Sequence, residues 1–269
     1  MFTAQGPTLP ELAVQALSSV ERGYDLLAPK FDRTPFRTSD HLLEATARAL
    51  QPLGPFGTGL DVCCGTGAGV GVLRRLCERR AVGVDFSAGM LGRARAAHPR
   101  SPGGPAVDWV RADVRRLPFA GAFDLAVSFG AFGHFLPRER PGLFAGVHAA
   151  LRPGGLFAFP VGAPPPVGSR AYWTLWGFDA VMRVRNALWR PRFVMYYRTF
   201  PLPRVRRELA DAGFEVGTLP LEELGRRADG SPRCLAGRGP ARPRGRPGVR
   251  AGGGGGLVRT AGPVRYSLH

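Results

Sequence analysis

Lysine is nearly missing from this 269-residue chain: Lys30 is the only one, and every other strongly basic side chain is arginine. With abundant Gly, Ala and Pro, that bias reflects a GC-rich genome more simply than selection for a ligand. Cysteine is also scarce, with four residues at 63, 64, 77 and 234, and no two form a CxxC pair. Neither a zinc site nor a disulfide framework therefore has support. Cys63 and Cys64 read as small buried side chains at an apolar strand end, and Cys77 as the same within a helix. No run of about 18 apolar residues exists, so no membrane span is expected. The N-terminal stretch from Met1 to Gln15 lacks a basic region followed by an apolar one. It does not read as a secretory signal, and a cytoplasmic protein is the expectation.

What is present is enough apolar material, 44% of residues, to bury a sizeable core. The length suits one large α/β domain with an attached cap and tail. The formal charge of +17 would ordinarily point to nucleic acid or acidic surfaces. From Gly225 to His269, however, ten arginines stand against one aspartate, so the tail alone carries nine of the seventeen charges. Nucleic acid thus remains a less favoured partner.

Residues 1–55 read as a helical N-terminal segment. Leu12, Gln15, Ala16, Ser19 and Val20 have helical spacing, and Ser39-Asp40 makes a good N-cap before HLLEATARAL. The intervening YDLLAPKFDRTPFRTSD is too broken by Pro and aromatic residues for a regular element. From Gly59 short apolar strands (GLDVCC, AVGVDF, AVDWVRAD, FDLAVSF, GLFAFPV) alternate with helices (VGVLRRLCERR, SAGMLGRARAAH, PRERPGLFAGVHAALR). That rhythm predicts βαβ units and a parallel sheet with helices on both faces. Pro153-Gly154-Gly155 marks a helix-to-strand turn. Residues 163–200 break the pattern with many aromatics, and Trp173, Trp176, Ala180, Val184 and Leu188 approximate one helical face expected to be core. LPRVRRELADAGFEVGTLPL adds a helix and a strand. Residues 233–269 then turn to Arg, Gly and Pro and read as a disordered tail.

The decisive segment is Leu60-Asp61-Val62-Cys63-Cys64-Gly65-Thr66-Gly67-Ala68-Gly69, a strand running into a glycine turn before a helix. Such a turn lies at the mouth of an α/β sheet, where ligands bind. A dinucleotide fingerprint, GxGxxG, fails in both registers, because Val70 or Val72 stands where the third glycine belongs. Asp85 ends the next strand about 20 residues on, where a carboxylate can accept from both ribose hydroxyls.

These residues resemble the motifs of class I S-adenosylmethionine (SAM) dependent methyltransferases. The acidic residue before a GxGxG turn, Asp61 with Gly65, Thr66 and Gly67, is similar to the family's first motif, whose loop wraps the methionine part of SAM. Asp85-Phe86-Ser87-Ala88-Gly89-Met90-Leu91 is similar to its Asp-Phe-Ser-x-x-Met-Leu pattern, in which the aromatic residue and Met help cover adenine. The resemblance further implies that Asp113 binds the adenine amino group and Val114 supplies a backbone amide. It implies that Phe129 and Gly130 face the sulfonium and the substrate, and that Leu151-Arg152-Pro153-Gly154-Gly155 precedes the fifth strand. It extends over residues 59–160 and implies a Rossmann-like, doubly wound, mostly parallel seven-stranded sheet. Residues 56–232 would be the SAM-binding domain and 163–200 its substrate cap. Tyr24, Phe31, Asp32 and Arg33 would belong to an N-terminal segment folded over SAM, with Tyr24 a cover over the methionine end or a filler between helices. The family's last strand lacks an obvious counterpart after FEVGTLPL. One back-translation of Leu235–Pro240, shifted by one base, gives Trp-Pro-Val-Val-Ala-Arg, so an out-of-frame tail is one alternative and an RNA-binding arginine-glycine tail another.

Methyl transfer asks the protein for alignment and exclusion of water, and for a base only where the nucleophile must lose a proton. His134, after the fourth strand, is the candidate base, with loop packing as its alternative role. The chain has neither an Asn/Asp-Pro-Pro-Tyr motif after the fourth strand nor a Pro-Cys pair. A small-molecule O-, N- or C-acceptor is therefore the expectation. An RNA or DNA methyltransferase and an inactive SAM-binding module are the alternatives.

Overall fold

The computed structural model describes residues 6–8, 10–11, 14, 18–34, 36–162, 167–170, 172–174, 176–177, 180–181, 184, 202–226, 230, 232 and 234–240. Among them the strands are β1 (Phe56–Val62), β2 (Cys77–Asp85), β3 (Ala106–Arg111), β4 (Phe123–Val127), β5 (Leu151–Gly162), β6 (Gly217–Pro220) and β7 (Cys234–Pro240). The longer helices are α1 (Val20–Leu27), α2 (Asp40–Leu50), α3 (Ala68–Leu76), α4 (Ala88–Ala97), α5 (Arg140–Ala150) and α6 (Leu202–Asp211). The strands form one sheet in the order β3-β2-β1-β4-β5-β7-β6. β1 to β5 are parallel, and β7 runs antiparallel to both β5 and β6.

Both faces of the sheet are covered, so its strands are apolar on alternate and facing positions alike. Leu60, Val62, Phe157 and Phe159 pack with Leu143, Phe144 and Val147 of α5 and with Val205 and Leu209 of α6. Leu125, Val127, Leu156 and Ala158 point the other way, onto Val70 and Leu73 of α3 and Leu91 of α4. Strand order reverses between β1 and β4, and the two strands separate beyond Asp61 and Val127. This is the switch point at which α/β sheets open a crevice.

Local chemistry sets the element ends. Ser39 caps α2 by accepting from the Leu42 amide, as the sequence suggests. The helix expected through Arg80 instead stops at Leu76, because Cys77 turns extended (φ −108°, ψ 137°) and pairs with Phe56. Cys77 therefore begins a strand, and Glu78-Arg79-Arg80 form its exposed end, with Arg80 3.2 Å from Asp108 on β3. The stretch read as too broken for regular structure holds the second half of α1 and a 3-10 helix over Ala28–Arg33, with Pro29 in its first turn where a missing N–H costs nothing. The expected helix around Leu12, Gln15 and Ala16 lies outside the described residues.

Two expectations are overturned. The final strand is present: Cys234–Pro240 fills the gap between β5 and β6, so the disordered tail cannot begin at 233. Its Gly- and Arg-rich sequence looks weak for a strand, but a central position satisfies its backbone on both sides. The small side chains of Cys234 and Ala236 fit beneath Ala45 and Leu221. The aromatic face after β5 is also not core, since Trp173, Trp176 and Val184 stand exposed. Leu188 and most of the expected cap lie outside the described residues.

Candidate active site

The loop leaving β1 is built around two left-handed glycines. Gly65 has φ +52°, and the space where its Cβ would stand is empty to 4 Å, so a ligand can meet bare backbone there. Gly67 has φ +92°, but a Cβ on it would stand 2.7 Å from His98 and 2.9 Å from Trp109. Gly67 is thus a packing glycine turned away from the crevice. Gly69 leaves room for Asp61, whose carboxylate a Cβ would meet at 2.5 Å. Cys63 takes a left-handed φ of 61° without being glycine, and its thiol is pushed well above its ordinary value by burial and then by Asp85, Asp61 and Asp113. The thiol is therefore neutral and a poor nucleophile near pH 7.

Three carboxylates end neighbouring strands. Asp85 is buried and accepts from the amides of Gly65 and Ser87, both at 2.9 Å, which ties the glycine loop to the start of α4. Burial raises its pKa, and those amides oppose the rise. Asp61 is fully buried, and neither oxygen has a hydrogen-bond partner of normal geometry; the nearest donors are the Gly69 and Val70 amides. Burial, with Asp85 close by, pushes its pKa up to about 8. Asp113 is more open, and Arg115 engages both of its oxygens (2.7–2.9 Å) and holds its pKa low.

The N-terminal segment straps this site closed. Asp25 on α1 accepts from the Ser87 hydroxyl (2.6 Å) and the Gly89 amide (2.9 Å), placing a negative charge at the N-terminus of α4. Asp32 accepts from the Thr66 hydroxyl at 2.7 Å, and Glu21 pairs with Arg111 at 2.6 Å. Tyr24 Oη and His134 Nε2 share a 2.6 Å hydrogen bond, with the rings edge to face at 5.4 Å.

These groups enclose a cavity of about 400 Å³, in the range of small-molecule sites. Tyr24, Asp61, Gly65, Thr66, Asp85, Phe86, Met90, Asp113, Val114, Phe129, Gly130 and His134 all line it. Of the expected positions only Gly67 does not. The sequence reading missed Asp25, which secures the strap, and Phe36, Arg37 and Thr38, which complete the wall; Phe31 and Asp32 were placed in the covering segment without a role of their own. The one signal available was their closeness to Tyr24 in a stretch without periodicity. Cys63 and Cys64, both read as buried fillers, also line the cavity, Cys64 while itself buried.

The lining selects among ligands. The Asp85 carboxylate would repel a pyrophosphate, and the buried Asp61 carboxyl, its pKa raised to about 8, ionises readily only against positive charge. A group that joins a cation to a nucleoside fits: bare backbone at Gly65, acids for the cation and the ribose, and apolar Phe86 and Met90 beside them.

Comparison with known proteins agrees. A family model described as a methyltransferase domain matches residues 60–155. The chain is 32% identical over 170 residues to the 2-phytyl-1,4-naphtoquinone methyltransferase of Nostoc punctiforme, covering 60% of this chain and 73% of that protein. It is 37% identical over 111 residues to the trans-aconitate 2-methyltransferase of an Azoarcus species, 41% of each chain. The N-methyltransferase NodS of Bradyrhizobium japonicum, solved with S-adenosyl-L-homocysteine, shares the fold: TM-score 0.56 at 18% identity, covering 83% of this chain and 99% of that one.

Proposed function

Because this chain belongs to the class I SAM-dependent methyltransferases, we propose that it methylates a small-molecule acceptor held between the strap and the ends of β4 and β5. One observation carries the reading: the glycine loop, the three strand-end carboxylates and the Tyr24–His134 pair all open on a single cavity. The relatives named for a naphthoquinone and for trans-aconitate support a small acceptor.

Each residue has a task in this reading. The Asp85 carboxylate, steadied by two amides, takes the ribose hydroxyls with its remaining lone pairs. Asp113, oriented by Arg115, meets the adenine edge beside the Val114 amide, and Phe86 and Met90 cover the ring. Asp61 faces the positive end of the cofactor across the Gly65–Gly69 turn. Bound there, SAM supplies a methyl carbon on a sulfonium, already activated toward a nucleophile. Phe129, Gly130 and the Tyr24 ring close the reacting end and exclude water, which favours alignment over solvent competition. His134 Nε2, shared with the Tyr24 hydroxyl, takes the acceptor's proton where the acceptor must lose one. The covering segment is 1–55, and the SAM-binding domain begins at 56 and extends through β7 to Pro240.

Titration calorimetry with SAM and its demethylated product, on the full chain and on Asp85→Ala, tests the site. A hydrogen bond to a charged group contributes about 1.5–3 kcal/mol, and 1.4 kcal/mol is about tenfold in affinity. Loss of one such contact should raise Kd about 10- to 100-fold, and loss of both more. Unchanged affinity in Asp85→Ala would remove Asp85 from the site. A labelled-methyl screen over metabolite and RNA pools then tests the acceptor, and transfer confined to RNA would overturn the small-molecule reading.

A further inference from the structure

Trp173, Trp176, Val181 and Val184, on the segment expected to bury its aromatic face, are 56%, 48%, 65% and 58% exposed. All four are helical positions, and each is exposed. The two indoles meet edge to face at 6.0 Å, and the Tyr172 ring meets Trp173 at 5.3 Å. Val167 extends the apolar surface at the start of the segment. A soluble monomer rarely leaves so continuous a patch of large side chains to water.

Charge indicates what covers it. Residues 163–200 contain six arginines and one aspartate, with no lysine or glutamate. Arg170, at the helical start, is exposed. Indoles flanked by cations match the boundary between lipid headgroups and acyl chains, where a ring lies half in each and arginine meets phosphate. An apolar protein partner would leave the arginine excess unpaired, and a second copy of this chain would bring the same positive charge to meet it. We propose that this face docks on an anionic lipid bilayer. The segment follows directly on Phe159, Pro160 and Val161 of β5, which line the cavity, so eleven residues of chain separate the cavity wall from Trp173. The proposal stands independently of methyl transfer, because it rests on exposure and charge.

The test is co-sedimentation of the full-length protein with vesicles of phosphatidylcholine, with and without phosphatidylglycerol, at low and physiological salt. Trp173→Ser/Trp176→Ser is run in parallel. Neither indole lines the cavity, so SAM affinity should be the same in both proteins and will report that the variant is folded. The expected result is binding to the phosphatidylglycerol vesicles that weakens with salt and falls at least about tenfold in the double variant. No binding to anionic vesicles at low salt overturns the proposal. Equal binding by both proteins also overturns it, because charge alone would then account for the association. A dimer abolished by the double substitution, without lipid binding, would assign the face to a second copy of the chain.

Discussion

Asp61 is the residue whose setting departs furthest from that of an ordinary aspartate. Its pKa rises from 3.8 to about 8 on burial, so the folded, cofactor-free protein holds a proton that the unfolded chain releases between those values. Folding takes up that proton, and stability from this group must therefore fall as pH rises from about 4 to about 8. Denaturant melts of the cofactor-free protein across that range should show the decline, and Asp61→Asn should flatten it. A variant that kept the wild-type slope would locate the proton elsewhere. His134 carries a separate prediction, because the role proposed for it is chemical. His134→Gln should leave SAM affinity within about twofold and lower kcat by about 10²–10⁴ for an acceptor that loses a proton. An equal loss for an acceptor that is already a free nucleophile would make His134 a packing residue. The acids were legible in the sequence because they end strands at fixed distances from a glycine turn. Asp25 was not, because its partner Ser87 lies far away in sequence and no periodicity marks it; Asp32 was legible only as part of the covering segment, its partner Thr66 being equally remote.

Elements were most legible where burial dictates the pattern. The apolar strands β1, β2, β4 and β5 stand out because both faces are covered, and α2 announces itself through Ser39. Boundaries were less so: charged Glu78-Arg79-Arg80 look helical, yet they are the solvent end of β2. β7 was hidden altogether, because its glycines and arginines carry little strand preference and its pairing to β5 and β6 is supplied by strands remote in sequence. That location has a testable consequence. A chain ending before Cys234 loses the ladder to both β5 and β6 and uncovers Ala45 and Leu221. Two strand edges would then be open to aggregation. Such a truncation should lose cooperative melting or soluble yield, whereas one ending after Pro240 should keep both the melting midpoint and SAM affinity. Matching behaviour of the two truncations would show that β7 contributes nothing to the sheet.

At the scale of the molecule the strap and the sheet form one closed body. Glu21, Tyr24, Asp25 and Asp32 each bond to a group that shapes the cavity or borders it: Arg111, His134, the first turn of α4 and Thr66. Tyr24, His134 and Thr66 line the cavity, so releasing the bonds they make disturbs its wall. Opening the strap and exchanging the nucleoside are therefore a single event, and turnover becomes a question of residence time. The first round of methylation should appear as a burst, followed by a slower steady rate set by departure of the demethylated cofactor. Asp32→Ala and Asp25→Ala should shorten the slow phase and weaken product inhibition together, while the burst amplitude stays near one per site. A linear time course from the first turnover would mean that the strap opens faster than the chemistry proceeds. With the burst present, the concentration of the spent nucleoside would govern how much of the enzyme is available, and the strap would act as its timer.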